Sequence, residues 1–254
     1  MNVTSEKNLT TINIMSKKYW AVVPAAGVGK RMASAIPKQY LTLLDKTVLE
    51  HSCQRLLNHS KISGLVIALG DHDEYWSDVT LQTDKPVIRV EGGEERCHSV
   101  LNALNALSSQ EQAEKLSVKE TDWVLVHDAA RPCLRHSDID LLIEQSAINT
   151  TGALLALPVR DTMKRQGAEQ TVSETVERSG LWHALTPQMF PLGLLRDAMQ
   201  KAIESGFMIT DESSAIENAG LHPVLVEGHE DNIKITRQPD LKLAELYLKA
   251  QNNE

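Results

Sequence analysis

The feature that most constrains this chain is an alternation of two periodicities. Short apolar runs rich in Val, Leu and Ile occur at 19–23, 64–69, 86–90, 122–127 and 153–159. They contain few polar interruptions, as strands covered by helices on both faces do, whereas half-exposed strands alternate. Between them, 47–58, 99–107 and 137–148 carry helical patterns, and Ser137 is expected as the N-cap of the last. Strand and helix in turn predict an α/β fold: a doubly wound, mostly parallel sheet with right-handed crossovers. Helices are also expected at 191–205, 211–218 and 239–250, and strands at 223–226 and 233–236. The polar stretch 110–120 reads as a solvated helix end or surface loop.

One region breaks the pattern. Residues 155–185 contain Thr, Val and charges in alternation around the turn-prone Gln166–Gly167 pair. They predict a β-hairpin arm, about residues 157–184, standing off the main sheet or folded back on it. A two-stranded arm has too little core to stand alone, so a second copy of the chain is the expected partner. The first 17 residues are polar and lack the apolar stretch of a secretory signal, so they are expected to form a poorly ordered tail. Met15 is an alternative start. Residues 18–254 are expected to form one domain, since no linker or repeat divides them.

Composition excludes several classes. A net charge of −8 argues against a general nucleic-acid binder but permits one cationic cleft. No run approaches about 18 consecutive apolar residues, so no transmembrane helix is expected. The three cysteines, Cys53, Cys97 and Cys133, form no C-x-x-C pair; a cytoplasmic protein without disulfides or zinc is expected.

After the first apolar run comes Pro24-Ala25-Ala26-Gly27-Val28-Gly29-Lys30-Arg31-Met32. The carboxyl end of a strand is where a doubly wound sheet binds ligands, and small residues let backbone N–H groups approach a phosphate. The spacing is wrong for a Walker A loop, and Met32 replaces the third glycine of a dinucleotide fingerprint. The cations Arg31 and, in Pro37-Lys38-Gln39-Tyr40, Lys38 flank the loop. Fixed cations there suit charge that builds up when the α-phosphorus of a nucleoside triphosphate is attacked. Asp128 ends another apolar run, either facing the ligand crevice or capping the helix that follows.

These segments resemble the nucleotidyltransferase signature, and more narrowly the 2-C-methyl-D-erythritol 4-phosphate cytidylyltransferases. E-G-G-E-E-R at 91–96, V-H-D-A-A-R-P at 126–132, P-V-R-D-T-M-K-R at 158–165, G-L-W-H-A-L-T-P-Q at 180–188, I-T-D-E at 209–212 and D-N-I-K-I-T at 231–236 extend the resemblance over roughly 19–248. It implies that Ala25, Ala26, Gly27 and Gly29 wrap CTP, with Arg31 and Lys38 at the transition-state charge. Gly93, Glu94 and Ser99 fall where the family recognises cytosine and nearby groups, Glu94 standing where the family often has Asp. Asp128 is implied as the ligand of Mg2+, with Ala129 against the nucleotide. Arg131 is implied to reach the second substrate or to form a salt bridge. Arg178 and Lys234 are implied to position a sugar-alcohol phosphate, with Thr162, Thr186 and Thr210 nearby. Thr162 and Arg178 lie on the arm, which in the family crosses to the partner subunit of a homodimer. A phosphate monoester is already anionic at neutral pH, so no general base is expected and His127 and His183 are read as structural. The same chemistry on another alditol phosphate, such as ribitol 5-phosphate, and a catalytically silent nucleotide binder are the alternatives.

Overall fold

The computed structural model describes residues 17–27 and 36–251. The expected N-terminal tail lies, up to residue 16, outside the described residues. So do Gly29 and Arg31.

The described chain opens with β1 (Tyr19–Pro24), then a small antiparallel pair, β2 (Thr42–Leu43) and β3 (Lys46–Thr47), then α1 (Val48–Leu57). Next come β4 (Ile62–Leu69), β5 (Val87–Glu91), α2 (Arg96–Leu107), α3 (Gln110–Leu116), β6 (Trp123–Val126) and α4 (His136–Ile148). The second half holds β7 (Ala153–Pro158), β8 (Met163–Gln166), β9 (Val172–Val176), β10 (Trp182–Pro191), α5 (Leu192–Glu204), α6 (Glu212–Asn218), β11 (Val224–Glu227) and α7 (Gln238–Gln251). The main sheet has the order β11-β7-β10-β6-β1-β4-β5. All its neighbouring pairs are parallel except β10 with β6 and β10 with β7.

Alternate side chains of a strand point to opposite faces, and here both faces are apolar. From β1, Ala21 and Val23 join a cluster with Leu49 and Leu56 of α1 and Ile139 and Leu142 of α4. Trp20 and Val22 join the opposite cluster, with Val100 and Leu104 of α2 and Leu195 and Met199 of α5. Each fully buried Val, Leu, Ile or Met among them contributes roughly 1.5–3 kcal/mol. The two layers explain why the strands read as continuous apolar runs. They also leave the loops at the carboxyl ends of the parallel strands to gather on one edge.

Side-chain caps start α1, α3 and α6, whereas α2, α4 and α5 begin without one. Thr47 caps α1 through a reciprocal box, its hydroxyl accepting from Glu50 N and its own N–H donating to Glu50 Oε2 at 2.7 Å. The expected cap Ser137 lies inside α4 instead. Arg135 holds the N-cap position without a side-chain cap bond. Part of 110–120 is the short helix α3, and none of its residues is buried, which is why its sequence reads as solvated.

Two strand expectations need correction. The segment 233–236 forms no strand; Ile235 N–H donates to Ala130 O at 2.9 Å, and the Ile235 side chain is buried beside Ala244 and Leu248 of α7. Its apolar pattern reflects a satellite core, not a ladder. The end of the predicted arm belongs to the main sheet, where Trp182 onward enters as the antiparallel β10. The arm itself is the β8–β9 hairpin, which pairs with no other strand and is exposed or half-buried throughout.

Candidate functional site

One cleft collects the carboxyl-end loops of β1, β5 and β6, the start of α2, and the segments around Lys38 and Lys234. Backbone of Pro24–Gly27 forms one wall. Ala25 N–H is held by Ala68 O at 2.8 Å, which extends β1 pairing one residue past the strand. The Gln39 amide nitrogen donates to Ala25 O at 2.9 Å and Gly27 O at 3.0 Å. Gly92 is required by close approach, since a Cβ there would lie 2.3 Å from the Ala26 Cβ and 3.0 Å from Ser99 Oγ. Ser99 Oγ accepts from Gly93 N–H at 3.0 Å, which fixes the turn into α2.

Asp128 leaves the end of β6 and is only 7% exposed. Its Oδ1 accepts from Arg96 Nε at 3.0 Å, and its Oδ2 lies 2.7 Å from Lys234 Nζ and 3.6 Å from Arg131 Nε. Burial would raise its pKa, but the Arg96 and Lys234 charges outweigh burial and hold the carboxyl well below the usual range. Arg96 in turn forks onto the fully buried Glu212, with Nη1–Oε1 at 2.7 Å and Nη2–Oε2 at 3.1 Å. Burial works against the guanidinium's charge, yet Glu212 and Asp128 raise its pKa. Asp128 does not cap α4, which begins at His136.

A second layer lies behind Asp128. Thr186 Oγ1 accepts from Asp128 N–H at 3.0 Å and lies 3.1 Å from His127 Nδ1. Asn232 donates to Thr186 O at 2.8 Å and accepts at its own carbonyl from Arg131 Nη1 at 2.6 Å. His127 is fully buried and its pKa is pushed down to about 4 by burial, so the ring is neutral and structural at neutral pH.

The structure thus brings Ala25, Ala26, Gly27 and Lys38 into one cleft with Gly93, Glu94 and Ser99, and with Asp128, Ala129 and Lys234. Arg131 and Thr186 are buried beneath the cleft, with the partners just given. Thr162 and Arg178 sit exposed at the ends of the arm, Arg178 donating to Arg160 O, and Thr210 is exposed before α6. Within one chain these three do not line the cleft. Sequence reasoning did not single out Arg96, Gln39, Glu212 or Asn232, although each stands inside a quoted motif. Residue type alone does not say that Arg96 reaches a carboxylate 116 positions away.

Among the described residues, Glu95, Cys97 and His98 also bring metal-ligating atoms near one another. Sulfur and imidazole donors suit softer ions than Mg2+. The carboxylate of Asp128, which lines the cleft, is the donor of the harder type.

A family model described as 2-C-methyl-D-erythritol 4-phosphate cytidylyltransferase matches residues 19–250. A protein of that name from Vibrio vulnificus (strain YJ016) is 53% identical over 233 residues, covering 92% of this chain and 95% of that one. One of the same name from Tolumonas auensis is 49% identical, covering 93% of this chain and 99% of its own. The solved structure of the Francisella tularensis enzyme of that name matches with a TM-score of 0.77 at 33% identity, covering 91% of this chain and all of that one.

Proposed function

The chain belongs to the 2-C-methyl-D-erythritol 4-phosphate cytidylyltransferase family, and from that premise we propose how its cleft carries out the reaction. The enzyme transfers CMP from CTP to 2-C-methyl-D-erythritol 4-phosphate, giving 4-diphosphocytidyl-2-C-methyl-D-erythritol and pyrophosphate, in isoprenoid biosynthesis. The family match sets aside ribitol 5-phosphate as acceptor and a silent binding protein.

The observation that carries the mechanism is the placement of Lys38 and Lys234 in one cleft with the Asp128 carboxylate and the small-residue wall Ala25–Gly27. A phosphate oxygen of the acceptor attacks the α-phosphorus of CTP in line. A new P–O bond forms as the bond to the bridging oxygen breaks and pyrophosphate departs. Lys38, with Arg31, stabilises the charge that grows on the α-phosphate and leaving group. Lys234 and Arg178 hold the acceptor phosphate with Thr162 beside it, while Thr186 acts from beneath through the Asp128 N–H. Gly93, Glu94 and Ser99 take the base end of the nucleotide. Ala129 packs against it, and Gly29 joins the residues that bind the triphosphate. Arg131 acts through the Asp128 and Asn232 contacts. No general base is needed.

Mg2+ fits Asp128: it uses one or two carboxylates and fills its other positions with water and phosphate oxygens. When bound, it supplies charge neutralisation at the triphosphate. Asp128 would hold it, after yielding part of its contact with Lys234.

The arm supports a homodimer in which Thr162 and Arg178 complete the partner's site, since both are exposed and lie outside their own chain's cleft. Three free, buried cysteines support a reducing, cytoplasmic setting. Among the described residues no helix is long and apolar enough to cross a membrane.

Mixing inactive Lys38→Met and Arg178→Met subunits tests the arrangement. Random exchange leaves one intact site in half of the dimers, so about a quarter of wild-type activity returns. No recovery, with exchange demonstrated by mass, refutes the shared site. Product mass from CTP, Mg2+ and the acceptor tests the reaction itself.

A further inference from the structure

We propose that Gln39 is a positioning residue for the triphosphate, acting through the Ala25–Gly27 wall without touching the acceptor. The proposal rests on the cleft being the CTP site.

Gln39 is 4% exposed and its side-chain nitrogen meets two backbone carbonyls, Ala25 O at 2.9 Å and Gly27 O at 3.0 Å. Only the amide nitrogen has two hydrogens to give, so the orientation is fixed by chemistry. A trans peptide points its N–H opposite its carbonyl, so drawing Ala25 O to Gln39 turns the Ala26 N–H away from Gln39. Ala25 N–H is already spent on Ala68 O. The wall therefore begins to offer donors at Ala26, and Gln39 sets the direction in which they face.

Gln39 is itself held from both sides. Before it, Lys38 Nζ donates to Ile235 O at 3.1 Å, next to Lys234. After it, the Tyr40 hydroxyl donates to Asp73 Oδ2 at 2.7 Å, and the ring stacks on Tyr75 with centroids 5.1 Å apart. The amide is thus fastened to the Ile235 segment on one flank and to the loop after β4 on the other. A side chain that staples a loop from such an anchored turn sets geometry at a ligand's phosphates and not merely local packing.

The variants are Gln39→Met, close in shape with no donor, and Gln39→Glu, which turns a carboxylate toward two carbonyl oxygens. CTP binding is measured by calorimetry without acceptor, and KM is measured for each substrate. Two lost hydrogen bonds predict a roughly tenfold to thirtyfold rise in the CTP dissociation constant and KM for Gln39→Met. Gln39→Glu raises both further. The acceptor KM at saturating CTP stays within about threefold. Unchanged CTP binding in a folded Gln39→Met protein overturns the inference, as do equal losses for CTP and acceptor, which mark a merely structural residue. If Gln39→Met does not fold, the shorter Gln39→Asn, which forfeits at least one of the two bonds, is read in the same way. Wild-type protein that fails to bind CTP refutes the site assignment instead.

Discussion

Replacing Glu212 by Gln tests the ion-pair architecture beneath the cleft. The change is nearly isosteric and removes one negative charge. In the native protein both Glu212 oxygens accept from the Arg96 fork, and Glu212 has no exposure. Glutamine keeps one acceptor but turns an NH2 donor toward the other guanidinium nitrogen. Breaking a fully buried pair by removing one partner costs about 3–5 kcal/mol. The Arg96 side chain is 32% exposed, and its Nε keeps the Asp128 carboxylate as a second anion. Solvent and Asp128 therefore absorb part of the penalty, and about 2 kcal/mol of stability should be lost. Urea unfolding with an unchanged m-value reads this directly. The Arg96→Met background supplies the control: there Glu212→Gln should cost little, because the pair is already gone. A loss under about 0.5 kcal/mol, or additive losses in the double variant, refutes the coupling. Activity should fall as well, because Arg96 orients Asp128.

Two further outcomes follow from geometry. His127 is neutral in the fold, with a pKa of about 4 against roughly 6.5 unfolded, so the unfolded chain binds more protons between those values. Its contribution is complete above the unfolded pKa and declines as pH falls toward 4. Acidification from pH 7 to pH 5 should cost about 2 kcal/mol through this group, and His127→Gln should flatten that part of the stability profile. Gly152 has φ +116°, and a Cβ there would lie 2.1 Å from Phe190 Cδ1 and 2.7 Å from Met189 O. Gly152→Ala should therefore lower stability by about 2 kcal/mol or more, read by thermal melting, and no loss would refute the contact.

What the chain determines locally is its element types. Apolar runs specify strands such as β1 and β4 because both faces must meet helices, and Thr47 with Glu50 writes the start of α1 within four adjacent positions. The site was legible as a set of motifs at strand ends, and Ala25–Gly27, Lys38, Asp128 and Lys234 do share one cleft. Tertiary structure alone decided the rest. The antiparallel direction of β10 depends on pairing with β6 and β7, and an extended run looks the same in either direction. Arg96 with Glu212, and Lys38 with Ile235 O, meet across 116 and 197 positions. Periodicity carries information over a few residues, whereas these contacts exist only because the sheet order brings distant loops to one edge.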